Sequence, residues 1–323
     1  MPIKLLAHLL QSENRETCMR VKNVFIFTVG LKGCSPIPSV LGIYHKYASR
    51  SEVKFIGWYH LSAKRSQSDI QEVFLNNSDE PLKGFEVLEA EAVTRHATED
   101  IHTPNLSTLQ GDAGAIILAH GGGAQAGSSS AEAVAKAVAD FRKKTKLPMQ
   151  FRKIVFDVCN MASPIKTVTA DQGKFSGIGF YDSEGNAIAK SKEFQLNFLQ
   201  AFTAIYGALT HDAGSVKVAG WDSGISVFHP ANEYVMGTPA PANGWTATVS
   251  NRELVATLKH GQKFLSNRIS DEENSKTTYT LKLIDNGVRA SLKKTYQYVS
   301  VQNEGEKGKV IQTKLEGWSD KEL

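Results

Sequence analysis

The sequence predicts an α/β fold: an α/β/α sandwich built on a mostly parallel, six-stranded sheet, followed by a C-terminal α+β extension. Three observations carry that expectation. Continuous apolar, β-branched and aromatic runs recur at 24–30 (VFIFTVG), 53–61 (VKFIGWYHL), 115–119 (AIILA), 153–158 (KIVFDV) and 216–221 (VKVAGW). Such runs suit strands buried on both faces, the condition of a parallel sheet covered by helices. Segments with apolar residues at helical spacing lie between them, and strand–helix alternation on this scale implies layered α/β architecture. After Pro230 the alternation gives way to breaker-rich and hairpin-like sequence.

Taken in order, residues 24–30 form the first strand, and Gly30, Gly33, Pro36 and Pro38 break it into a loop. Apolar spacing over 39–47 predicts a helix, and 53–61 the second strand. A short helix is expected over 66–75, an edge strand over 84–93 and a polar surface loop over 94–112. Residues 115–119 form the third strand. Ser129 with Glu132 three positions on reads as a capping box. Ala131, Val134, Ala135, Val138 and Phe141 then share one helix face. Arg142, Lys143 and Lys144 place positive charge at that helix's C-terminal end, where the dipole favours it, and Pro148 closes it.

Residues 153–158 form the fourth strand and 176–181 the fifth. Phe194, Phe198, Ala201, Phe202 and Ile205 make an aromatic helical stripe, read as core, and 216–221 is the sixth strand. Beyond, a helix is expected over 252–267 and a hairpin over 278–292 turning at Asn286–Gly287. Short strands are expected at 296–301 and 309–313. The division expected is 1–235 for the main domain and 236–323 for the extension.

Composition is that of a globular chain, 41% hydrophobic and 22% charged, with 37 basic and 33 acidic residues. A net charge of +4 argues against a nucleic-acid partner, which needs a dense basic face. Cys18, Cys34 and Cys159 are too few and scattered for a disulfide framework and lack the paired spacing of a zinc site, so neither metal nor cofactor is expected. No run reaches the roughly 18–20 apolar residues of a membrane span. The N-terminal MPIKLLAHLLQSENRE lacks the form of a secretory signal. The expected location is cytoplasmic, or exported without a classical signal; the C-terminal DKEL resembles an ER-retrieval tetrapeptide.

The candidate chemistry lies at two strand ends. His120 follows AIILA and Cys159 follows KIVFDV. In a parallel sheet with a right-handed crossover, neighbouring strands present their C-terminal ends side by side. A histidine and a cysteine there are a candidate base and nucleophile, and open α/β sheets bind ligands at that edge. Gly121 allows close backbone approach, and the N–H groups of Gly121 and Cys159 are candidate oxyanion donors.

These residues carry a resemblance. A strand ending in HGGG and a strand ending in FDVCNMAS resemble the caspase-like (clan CD) cysteine peptidases, most closely the clostripain family. The self-processing protease domains of large bacterial toxins are a second match. The resemblance covers residues 114–164 closely, follows strand order over 22–230 and does not extend further. It implies a caspase-like fold, Cys159 as nucleophile, His120 as general acid/base, and Gly121 and Cys159 as the oxyanion hole. It also implies Asp157 as the acid of a pocket for arginine or lysine, reached by a charge-assisted pair. The partner implied is a protein or peptide substrate. Asp182, after the fifth strand, is a candidate second pocket wall outside the motif.

Plainer readings stand beside these. Cys159 is also a candidate core thiol, His120 a structural histidine, and Asp157 a loop cap. Cys34 is an alternative reactive thiol without a His-Gly strand of its own. Asp222 is a candidate turn or pocket residue, and His229 reads as structural. Gly121, Gly123 and Ala126 fit a dinucleotide fingerprint, but residues 141–144 supply no acid where one is expected. HGGG also occurs in esterases, whose G-x-S-x-G elbow is missing. The alternative function is a non-catalytic or nucleotide/phosphate-binding protein using the loop 121–130 at a helix N-terminus.

Overall fold

The computed structural model describes residues 21–30, 37–48, 50–61, 71–75, 106–164, 168–171, 173–188, 193–210, 216–227, 245–248, 263–271, 276–283, 291–301 and 307–313. The expected strand at 84–93, the Asn286–Gly287 turn, Cys18, Cys34 and His229 lie outside them.

The first half runs β1 (Asn23–Val29), α1 (Ile37–Ala48), β2 (Phe55–Leu61), β3 (Gln71–Leu75), β4 (Ala113–Leu118), α2 (Ala131–Lys144) and β5 (Phe151–Asp157). It continues with β6 (Val168–Asp171), β7 (Ile178–Tyr181), β8 (Glu193–Leu196), α3 (Phe198–Thr210), β9 (Val216–Trp221) and β10 (Ile225–Val227). The chain closes with β11 (Trp245–Thr248), β12 (Lys263–Asp271), β13 (Lys276–Leu283), β14 (Lys293–Ser300) and β15 (Gly308–Thr313).

The main sheet has nine strands, against six expected, in the order β3-β2-β1-β4-β5-β9-β14-β15-β7. The stretch β2-β1-β4-β5-β9 is parallel throughout. β3, β14 and β15 bring the antiparallel pairings. Every residue of β1 is buried, Asn23 and Thr28 included, as befits a mainly apolar, β-branched and aromatic central strand. Its side chains alternate between two cores. Phe25, Phe27 and Val29 face the side covered by α2 and α3, where they join Ile117, Phe141, Phe156 and Phe202. Val24 and Ile26 face α1, with Ile56, Ile116, Val40, Ile43 and Tyr44. Helices on both faces of one sheet give the α/β/α layering that the sequence predicts.

The α2 face is packed with rings: Tyr59 meets Phe141 edge-on at 4.5 Å between centroids, and Phe27 meets Phe141 at 5.0 Å. Phe202 of α3 packs edge-on against Phe156 at 4.8 Å. Such pairs add about 0.5–1.5 kcal/mol beyond area burial. They fix α2 and α3 under the strands that carry the candidate dyad.

Five local expectations are corrected. Residues 71–75 of the expected 66–75 helix form β3, whose QEVFL pairs antiparallel with β2 from Ile56↔Leu75 to His60↔Gln71. The stripe beginning at Phe194 starts later, because Phe194 lies in β8 and Asn197 caps α3. Asn197 Oδ1 accepts from Gln200 N at 2.9 Å while Gln200 Oε1 accepts from Asn197 N at 3.0 Å, a reciprocal cap. Helix α2 is capped by Ser130, not Ser129, with Ser130 Oγ accepting from Ala133 N at 3.2 Å. Residues 263–267 of the expected 252–267 helix are strand: β12 pairs antiparallel with β13 from Phe264 to Asp271. Of the expected 278–292 hairpin, 278–283 lies in β13 as a strand, but its antiparallel partner is β12 upstream, and Ser291 and Leu292 are not in a strand. In each case a strand partner or a neighbouring cap outweighs weak local propensity.

The main sheet draws strands from both sides of residue 235, since β14 and β15 lie between β9 and β7. A separate four-stranded sheet has the order β10-β12-β13-β11. Among the described residues, no helix is long and apolar enough to cross a membrane.

Candidate active site

Strands β4 and β5 lie side by side and parallel, and their last paired residues are Leu118 and Asp157. His120 and Cys159 each follow that pair by two residues, so they leave the sheet at the same level from adjacent central strands. Gly121 lies hard against the second strand's end. A side chain there would collide with Val158 Cγ1 and come within 2.7 Å of Met161 Cε and 2.9 Å of the Cys159 carbonyl oxygen. Only glycine lets the two strand ends approach this closely.

His120 is exposed, whereas Cys159 is partly buried. The His120 carbonyl accepts from Gly127 N at 2.6 Å, which folds the glycine loop back toward the end of β1. Gly127 has φ +55, and a Cβ there would run into the Val29 carbonyl, so the turn requires glycine. Other loop amides also have partners: Gly122 N donates to Gln125 O, Ala126 N to Ser129 O and Ser129 N to Ala126 O. The first turn of α2 donates Ala133 N and Val134 N to Ser130. The loop is thus a self-bonded turn, which does not favour the phosphate-binding alternative.

After β5 the chain turns sharply. Asn160 has φ +59, a left-handed conformation that asparagine tolerates better than most residues. Its N–H donates to Ser223 O at 2.9 Å, and Ala162 N donates to Trp221 O at 3.0 Å. The candidate nucleophile is therefore held on a turn tied to the end of β9.

The Cys159 thiol accepts from Ile225 N at 3.4 Å and donates to Ile225 O at 3.6 Å. Its two hydrogen bonds both run to that one residue and neither to His120. Burial pushes the thiol pKa up, against the lowering effect of backbone N–H bonds.

Asp157 is only 7% exposed, and its Oδ1 accepts from Trp221 Nε1 at 3.4 Å. It also acts on the α1 side. Tyr47 has its pKa pushed far up by burial, with Arg50 opposing and Asp157 adding to the rise. The Lys293 ammonium lies 5.4 Å from the centre of the Trp221 ring. Asp157 thus sits one step beneath Cys159, in a buried polar cluster that the sequence motif does not reveal.

Asp182 is not brought to the dyad. It follows β7, the outermost strand, which β9, β14 and β15 separate from β5. At about 4.8 Å per strand spacing that is roughly 19 Å away. Its carboxylate closes its own turn, accepting from Glu184 N at 3.0 Å, Asn186 N at 2.8 Å and Asn186 Nδ2 at 3.1 Å. Desolvation works to raise its pKa, but these donors together pull it below the usual carboxylate value. Asp222, just after β9, donates its N–H to Leu292 O at 2.8 Å, which carries the pairing of β9 with β14 one residue further.

Two contributors escaped sequence reasoning: Trp221, which bonds Asp157, and the Ile225 backbone, which bonds Cys159. The first had a signal, since two adjacent parallel strands ending in Asp and Trp bring those residues level. The second had none, because a backbone partner leaves no mark in side-chain identity.

No protein-family model matches the chain, and no curated protein is similar to it. Among solved structures it is similar to a secreted C11 cysteine protease from Bacteroides thetaiotaomicron, solved with an irreversible peptide inhibitor. The similarity covers 93% of this chain and 91% of that one, at 9% sequence identity and a TM-score of 0.24. A likeness at that score carries no argument about activity.

Proposed function

We propose that the protein is a cysteine endopeptidase, with Cys159 as nucleophile and His120 as general acid/base, cutting after arginine or lysine. The observation that supports it best is the register: His120 and Cys159 each stand two residues beyond the Leu118–Asp157 pair on adjacent parallel strands. The close seat of Gly121 against the Cys159 carbonyl adds to it, as does the resemblance of ILAHGGG and FDVCNMAS to the clostripain family.

In this reading His120 takes the thiol proton and the sulfur attacks the scissile carbonyl. The N–H groups of Gly121 and Cys159 stabilise the oxyanion. His120 returns the proton to the leaving amine, giving an acyl-enzyme. Water, deprotonated by the same imidazole, then releases the acid and restores the thiol. Asp157 supplies the negative charge beneath the site that favours a basic residue on the acyl side. Asp182 has no part in it.

The test is hydrolysis of a panel of fluorogenic peptides by wild type and Cys159→Ala. Cleavage after Arg or Lys that vanishes in Cys159→Ala supports the proposal. Equal hydrolysis by both proteins would sink it.

A further inference from the structure

We propose that strand β10 is a latch that holds the nucleophile closed, with the Ile225 backbone occupying the place a substrate backbone must take. This rests on the nucleophilic role of Cys159 given above. One residue, Ile225, meets both faces of the thiol's chemistry: its N–H donates to Sγ and its C=O accepts the S–H. In an antiparallel ladder, alternate residues direct both polar groups away from the partner strand. Ile225, opposite Leu265 of β12, is such a residue, and its outward edge is turned to Cys159.

The latch is backed by structure. β10 is the edge strand of the four-stranded sheet, so its far side is already hydrogen-bonded to β12. The Ile225 side chain is buried against Trp221, with Cys159 and Leu292 packed alongside. One residue further along, Asn160 N is held by Ser223 O. Two neighbouring residues, Cys159 and Asn160, are thus tied to the 223–225 segment by three hydrogen bonds. A reacting carbonyl must come within about 3–3.5 Å of the sulfur, where the Ile225 backbone now lies. The segment has to swing away before Cys159 can attack, and the four-stranded sheet is the body it moves with.

The test reads the thiol itself in the full chain, by the rate of Cys159 carboxamidomethylation with iodoacetamide, followed by mass spectrometry. Ile225→Pro removes the N–H donor and distorts the segment. The expected result is alkylation at least about tenfold faster than in wild type, because the gain in access outweighs the loss of one N–H bond to the sulfur. Equal rates would overturn the latch. If Ile225→Pro does not fold, amide hydrogen exchange on Cys159→Ala decides. Loss of the sulfur acceptor is expected to speed exchange of the Ile225 amide about fivefold, and an unchanged rate would overturn the proposal. Neither measurement depends on turnover. A fast-reacting thiol in Ile225→Pro that cleaves no peptide would keep the latch and discard the peptidase reading.

Discussion

Trp221 donates its indole N–H to Asp157 across 3.4 Å, joining the last residue of β9 to the last residue of β5. The bond holds a buried carboxylate in place two residues before Cys159. For a basic substrate side chain, the charge matters more than the shape. Asp157→Asn is therefore expected to lower kcat/KM for Arg and Lys peptides by about tenfold to a hundredfold, in line with loss of one charge-assisted bond. Steady-state kinetics on paired Arg and Leu peptides checks this; an unchanged Arg preference removes Asp157 from the pocket.

Gly121→Ala is expected to cost about 1–3 kcal/mol of stability, the usual range for overpacking. The added methyl runs into Val158 and Met161, so the ends of β4 and β5 must part. Peptide hydrolysis should fall along with the urea midpoint, since His120 and Cys159 ride on those same two ends.

Burial raises the Cys159 pKa. The rate of alkylation of the native protein is therefore expected to rise with pH through a midpoint above about 8.5, the value of a free cysteine. A midpoint below that would mean a preformed thiolate beside His120.

Tyr296 has its pKa pushed up to about 12, mainly by burial, while the bond from Asn197 Nδ2 at 2.7 Å works in the lowering direction. The unfolded chain ionises near pH 10 and the folded one near 12, so the unfolded state loses its proton first as pH rises. The contribution is fully present below pH 10 and is lost as pH climbs through 12, amounting to roughly 3 kcal/mol. Urea melts between pH 9 and 12 should show a smaller alkaline loss for Tyr296→Phe than for wild type.

Ser130→Ala is expected to cost about 1 kcal/mol, the usual value of an N-cap. The comparison variant is Ser129→Ala, whose hydroxyl does not cap α2. Thermal melts that rank Ser129→Ala above Ser130→Ala in damage would place the cap back at the earlier serine.

The central fold was legible because its strands are buried on both faces. Residues 24–30, 53–61, 115–119, 153–158 and 216–221 have no polar face to present, and each lies in the sheet. The α2 face was legible for the same reason, with Ala131, Val134, Ala135, Val138 and Phe141 all buried. What failed were short segments whose state depends on a distant partner. QEVFL becomes a strand only because β2 offers an edge, and residues 263–271 only because β13 follows. At the candidate site, the level placement of His120 and Cys159 followed from strand parallelism. The thiol's partner did not, since backbone groups look alike in every sequence. Asp182 had no motif behind it, and β7, which it follows, joins the sheet at its far edge.

The place of β7 also sets an order of events during synthesis. Ile178 pairs with Gly308, 130 positions later, and β14 and β15 stand between β9 and β7. While the chain is still being made, β9 offers an open edge and β7 has no ladder to join. Unpaired edges of this kind invite pairing with other chains. The sheet that carries the candidate dyad stays unclosed until those last strands arrive. Long-range pairing of this sort slows folding, which keeps that edge open for longer.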